Sequence, residues 1–194
     1  MTNPTPWAPL YADAITRAAT VHKLDPLLVL AIADQESHGG CILDGGRWSW
    51  SPARLYRYEP GFWDRYMGPS SKTWPQYRPP GEHPAVVEAW KRRVSASWGI
   101  LQVMFLTAVQ HGFAGRPEEL LDPMLSAWFG ALHLRHHLDH PNSGGTKGEI
   151  ADALAGYNTG RDRDDWTTYD DEVLARHARI RAYADTGADP FKGA

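Results

Sequence analysis

The sequence predicts a mainly α fold in one domain, and three observations carry that prediction. Apolar residues recur at helical spacing along much of the chain, helix-start signals stand at Asp25-Pro26 and Asp122-Pro123, and no run of alternating β-branched residues or internal repeat stands out.

Taken in order, Tyr11, Ile15, Ala18, Ala19 and His22 mark a first helix of period 3.6. The stretch Leu24–Gly40 holds the second. Asp25 suits its N-cap, Pro26 its first position and Gly39-Gly40 its stop, and Leu27–Ala33 is apolar on every face, so this helix is expected in the core. From Gly45 to about His83 the texture changes to Trp, Tyr, Arg, Pro and Gly with weak periodicity. This stretch reads as a long, mostly irregular insertion, whose large aromatics argue for a packed or ligand-facing surface instead of disorder. A short helix near Pro84–Arg93 follows, then SASWGILQVMFLTAVQHGF, a turn around Gly99 leading into an apolar helix. Asp122-Pro123 opens a helix with Leu125, Phe129, Leu132 and His136 on one stripe, running close to Pro141. Thr146-Lys147-Gly148-Glu149 has the form of a capping box before EIADALAGYN, which Gly160 closes. A last helix spans about Asp170 to Ala184, carrying Val173, Leu174, Ala178, Ile180 and Arg181.

With 194 residues and 42% hydrophobic content the chain can bury a sizeable core. The expected division is a domain over residues 10–185, holding the insertion at about 41–94, between tails at 1–9 and 186–194. The single cysteine, Cys41, excludes an intramolecular disulfide. The N-terminus lacks a basic n-region and a long apolar h-region, so no classical signal peptide and no membrane insertion are expected. Net charge is −3, unevenly spread: between Arg47 and Arg93 nine Arg/Lys face four acids, a surplus of +5 that leaves −8 elsewhere. A basic segment on an acidic body attracts an anionic polymer such as cell wall or nucleic acid, though solvated surface charge is the commoner origin.

The most informative residue is Glu36, a carboxylate ending an otherwise apolar helix. Partial desolvation and the negative end of the helix dipole both disfavour its ionisation, which is how a general acid is made. His133/His137 and His136/His140 are i,i+4 pairs on a helix, but no Glu or Cys completes a metal site, and none is expected. No glycine-rich phosphate loop follows a strand, and Ser97 lacks a nucleophile-elbow setting.

Three segments, QES at 35–37, SASWGILQ at 95–102 and ALAGYNTG at 153–160, resemble in order and context the catalytic domain of soluble lytic transglycosylases and goose-type lysozymes. The matching positions are Glu36-Ser37, Gly99-Ile100-Leu101-Gln102, Gly156-Tyr157-Asn158 and Tyr169. Leu101 stands where that family usually has Met, and Gly156 where it has Ala. The insertion between Ser37 and Ser95 is similar to a second group, the phage N-acetylmuramidase domains, through Arg57–Trp63 and Ser95–Gly99.

The resemblance implies a lysozyme-like fold and cleavage of the MurNAc–GlcNAc β-1,4 bond in peptidoglycan glycan strands. Glu36 would serve as acid and then base, the muramic acid C6 hydroxyl closing a 1,6-anhydro ring without a second carboxylate. The hydrolytic alternative needs a carboxylate to position water, with Glu59 first and Asp44 and Asp64 behind it. Ser37 and Gln102 would orient Glu36 or bind an N-acetyl group, Ser97 would join the substrate-binding set, Tyr157 and Asn158 would contact substrate, and Tyr169 would hydrogen-bond the acid. Trp48, Trp50 and Trp98 would stack on sugar faces. No cofactor, nucleic-acid partner or stable membrane association is implied, and the expected form is a monomer. The setting implied is a phage or prophage lysin released by a holin, or a virion-associated enzyme. The non-enzymatic alternative is a wall-binding or virion module that keeps the fold.

Overall fold

The computed structural model describes residues 2–68, 77–140, 146, 148–160 and 168–192. The architecture is mainly helical: α1 (Ala12–Val21), α2 (Pro26–Glu36), α3 (Pro84–Val94), α4 (Phe105–Gln110), α5 (Pro123–Asp139), α6 (Ile150–Thr159) and α7 (Thr168–Ala184). Two small sheets accompany them. Strands β1 (Cys41–Asp44) and β2 (Arg47–Trp50) form a hairpin, and β3 (Tyr56–Tyr58), β4 (Ala96–Trp98) and β5 (Val103–Met104) form a three-stranded antiparallel sheet in that order.

Helix α2 is the axis of the core. The Asp25 side chain accepts from the Leu27 amide, Pro26 opens the helix, and every residue from Leu28 to Asp34 is buried. Such a helix, apolar all round, is stable only when neighbours enclose it. Helix α7 lies antiparallel along it and grips both ends. At the start Asp25 pairs with His177, 2.8 Å, and with Arg181. At the finish Arg176 donates to Gln35 Oε1 at 2.5 Å and to Asp34 Oδ2 at 2.7 Å. Helix α5 packs against α1 and α6, with Leu134 and Leu138 in the core beside Ile15, Leu154 and Ile180.

Several expectations are corrected. The insertion is not mostly irregular: Asp44 faces Arg47 across Gly45 (φ 53°) and Gly46 (φ 81°), the two-residue turn with positive φ that matches strand twist. Further on, Tyr56 to Tyr58 pair with Trp98 to Ala96. Residues 69–76 of the insertion lie outside the described residues. The capping box does not form; α6 begins at Ile150 after Glu149, whose side chain makes no cap bond, and the Thr146 amide donates instead to Asp152 Oδ2 at 2.6 Å. Of the expected stripe on α5, Phe129 is buried and Leu125 and Leu132 pack half-buried against the core, but His136 is exposed; the buried face also takes in Ala127, Gly130, Ala131, Leu134 and Leu138. Residues set apart as an N-terminal tail pack on the domain: Trp7 is buried, and the Asn3 amide donates to the carbonyls of Pro190 and Lys192.

The histidines gather where α1, α4 and α5 meet. His111 Nε2 lies 3.0 Å from His133 Nδ1, and the ring of His133 sits against those of His137 and Tyr157. Burial, and for His111 and His133 the neighbouring imidazoles, hold His22, His111 and His133 below the ordinary histidine range. The unfolded chain therefore takes up protons that the native one refuses once pH falls below about 6.5. Thermal stability is expected to be flat above that value and to decline below it. A second decline begins near pH 4, where the unfolded carboxyls take up protons, and continues below it, because native Asp25, Asp34 and Glu118 are held below the usual carboxylate range by hydrogen bonds and cationic partners that together outweigh desolvation. Thermal melts from pH 8 to pH 3 check this, with His133→Gln expected to flatten the first decline and leave the second.

Candidate active site

Helix α2 delivers Glu36 as its last residue. Its Oε1 accepts a hydrogen bond from the Tyr169 hydroxyl at 2.7 Å, from the first turn of α7. Desolvation pushes the carboxyl above the ordinary range and the charge of Glu59 adds to that, while the Tyr169 hydrogen bond and Arg57 act the other way; the net direction is upward. Glu36 is only half-buried. A carboxyl biased towards its protonated form that still reaches solvent is a proton donor for whatever binds there.

The turn opposite is built around Gly99 (φ 75°), where a Cβ would come within 2.3 Å of the Leu120 carbonyl and Ser126 Oγ. Ser37 Oγ donates to the Ile100 carbonyl at 2.8 Å and accepts from the Gly39 amide, clipping the end of α2 to this turn. Gln102 holds the turn from within: its amide donates to the carbonyls of Gly99 (2.9 Å) and Arg54 (3.2 Å), and its Oε1 accepts from Ser97 Oγ (2.9 Å). Gln102 itself has φ 47°, a left-handed conformation that these bonds impose. Tyr157 donates to the Leu101 carbonyl at 2.6 Å and lies near enough for the charge of Glu36 to raise its phenol further above a range already lifted by burial. Asn158 beside it is exposed.

These positions revise several expected contacts. Ser37 and Ser97 are sealed from solvent, with hydroxyls committed to the frame, so they position the turn instead of touching a ligand. Trp98 is core: its indole N–H donates to the Arg93 carbonyl and its ring meets Tyr56 edge-on. Trp48 and Trp50 stand exposed on the β1–β2 hairpin. Glu59 leaves β3 beside β4, its amide bonded to the Ser95 carbonyl and its carboxylate paired with Arg57 at 2.6 Å. Asp44, at the hairpin tip, and Asp64 are exposed. Cys41 is buried, which pushes its thiol up and away from reactivity. Among the described residues no three His, Cys, Asp or Glu side chains converge on a point that would hold a metal ion. Nor, among the described residues, is any helix long and apolar enough to cross a membrane.

Sequence reasoning missed Asp34, His38 and Arg176. Buried Asp34 accepts from the Trp7 indole, His38 Nδ1 and Arg176, a network that fixes the last turn of α2 next to Glu36. The signal was available: Asp34-Gln35-Glu36-Ser37 puts four polar residues in a row at the end of a helix with no solvent-facing side.

The helices around a buried acid-bearing helix, the small sheet and the turn facing the acid define a lysozyme-like domain. Residues 83–178, just under half of the chain, match the model of one family, the transglycosylase SLT domain. That match supports peptidoglycan degradation as the class of activity. No curated protein and no solved structure matches the chain. The matched stretch supplies Gln102, Tyr157, Asn158 and Tyr169, whereas Glu36 precedes it and is joined to it through the Tyr169 hydroxyl.

Removing that hydroxyl in Tyr169→Phe is expected to raise the pKa of Glu36 further, since the lost bond favours the ionised form. The alkaline limb of the pH–activity profile should move to higher pH, and turnover at the optimum should fall about 10-fold, the equivalent of one hydrogen bond.

Proposed function

We propose that this protein is a lytic transglycosylase that cleaves the MurNAc–GlcNAc β-1,4 bond with Glu36 as its single acid/base. The observation that carries the reading is the bond from Tyr169, inside the SLT match, to a half-buried carboxyl whose proton affinity is raised. Glu36 gives its proton to the glycosidic oxygen as the C1–O4 bond breaks. The resulting carboxylate then takes the proton of the muramic acid C6 hydroxyl while O6 bonds to C1, so the 1,6-anhydro product forms without water and Glu36 ends as it began. In this reading Asn158, exposed at the end of α6, contacts the substrate, and Tyr157, bonded to the Leu101 carbonyl, shapes the wall.

A second reading, hydrolysis by an N-acetylmuramidase, is favoured by one observation: the charge of Glu59 acts on Glu36. Glu59 would then position the attacking water. The similarity of Arg57–Trp63 and Ser95–Gly99 to phage N-acetylmuramidase domains supports a phage or prophage lysin as the setting.

Mass spectrometry of muropeptides released from purified peptidoglycan separates the readings. Anhydromuramyl ends are expected, and Glu36→Gln should lower their release by about 10²- to 10⁴-fold, the usual contribution of a general acid. Reducing ends that disappear in Glu59→Gln would establish the muramidase, and wall binding without any released sugar would establish a non-catalytic module.

A further inference from the structure

We propose that Arg176 is a positioning residue for the reaction: its guanidinium fixes the register of α7 along α2 and so sets the Tyr169 hydroxyl on Glu36. This deepens the reading of Glu36 as a glycan-cleaving acid and rests on it.

Tyr169, Glu172 and Arg176 recur at helical spacing, so one stripe of α7 faces the end of α2. The bonds run in antiparallel order. Tyr169 donates to Glu36 at 2.7 Å, Gln35 donates to Glu172 at 2.5 Å, and Arg176 donates to Gln35 at 2.5 Å and to Asp34 at 2.7 Å. At the other end of the same pair of helices Asp25 takes His177 and Arg181. From Asp25 to Glu36 α2 rises about 16 Å, and from Arg181 to Tyr169 α7 rises about 18 Å, at ~1.5 Å per residue. The two spans match, and a slide of one helix along the other strains the bonds at both ends together.

Arg176 makes the bonds that are anchored to a fixed point. Asp34 is 5% exposed and also accepts from the Trp7 indole at 3.3 Å and from His38 Nδ1 at 3.1 Å, so its carboxylate is held from outside α7 as well. The fork of Arg176 puts Nε on Gln35 and a terminal nitrogen on Asp34, two bonds from one rigid planar group that a point charge cannot reproduce. Val173 and Ile180, the buried aliphatic residues of α7, resist sliding only softly, since packed helices shear by about 1–2 Å. A slide of that size carries the Tyr169 hydroxyl to the edge of hydrogen-bond range or past it. The other groups whose charge couples to Glu36 stand on different elements: Arg57 on β3, Glu59 just after it, and Tyr157 on α6. Among the described residues Tyr169 is the side chain bonded to the Glu36 carboxyl, so the register of α7 reaches the acid through it.

The test follows the Glu36 carboxyl by carbon NMR titration of protein labelled at its glutamate carboxyls, with the Glu36 resonance assigned by its loss in Glu36→Gln. Turnover and Tm are measured alongside. Arg176→Gln is expected to raise the pKa of Glu36 as Tyr169→Phe does, because the lost bond favours the ionised form. Its kcat should fall about 10-fold with KM unchanged, the limit set by the one hydrogen bond it positions. In the double variant neither quantity should move beyond Tyr169→Phe alone. Arg176→Lys should behave like Arg176→Gln, since it keeps the charge and loses the fork. Gln35→Met leaves the Asp34 pair intact and should give a smaller shift in the same direction; if the Arg176 variants do not fold, an unmoved titration in Gln35→Met overturns the proposal. Arg181→Gln, at the end where His177 still holds Asp25, should lower Tm and leave the Glu36 titration in place.

Additive shifts in the double variant, or restoration by Lys, would make Arg176 a charge acting at a distance and overturn the proposal. A lowered Tm with an unmoved titration would make it a structural residue only, and a shift from Arg181→Gln equal to that from Arg176→Gln would take the role away from Arg176. Native protein that releases no sugar while the two titrations remain coupled overturns the reading of Glu36 and leaves the positioning role standing, whereas normal release with uncoupled titrations does the reverse.

Discussion

A helix enclosed on every side still has to end, and its terminal polar groups have to be satisfied without water. That constraint on α2 organises the rest of the molecule. Asp34 and Gln35 take Arg176, Glu36 takes the Tyr169 hydroxyl, and Ser37 reaches the Ile100 carbonyl. Two of these partners come from α7 and the third from the Gly99 turn, and both must be folded before the acid is in place. Burial of the helix and the elevated proton affinity of its last carboxyl are thus one fact seen from two sides.

The sheet and the insertion follow from the same requirement. β4 brings Ser97 and Trp98 up to the Gly99 turn, and β3 covers its edge from within the insertion, so the aromatic segment is part of the scaffold around the acid. Much of its basic charge serves that scaffold too: Lys91 lies over Trp63, Arg92 over Tyr58 and Arg93 over Trp90, and Arg93 also holds Glu118. The local surplus of +5 is therefore less available to an anionic polymer than its arithmetic implies.

Helix α2, with its Asp25 cap, Pro26 start and terminal Glu36, was legible because propensity, capping and hydrophobicity agree along one short stretch. Helix α5 was legible at its ends for the same reason, but its buried face only in part, since small residues such as Gly130 let Leu101 approach closely and carry no hydrophobic signal. The hairpin was hidden because Trp48 and Trp50 read as irregular texture, although Gly45-Gly46 marked its turn. The roles of Ser37, Ser97 and Gln102 lie in contacts spanning up to 63 residues, which local patterning cannot register. Glu36 was found as a chemical type; the hand that holds it, Tyr169, came through resemblance and its distance through the fold.

Asn3 reaches the carbonyls of Pro190 and Lys192, so the two ends of the described chain meet at one spot on the surface. In engineering terms the domain is a closed loop with a single doorway. It can be spliced into a surface loop of a host protein with short connectors, or its ends can be joined and reopened elsewhere, without stretching the helices that frame Glu36.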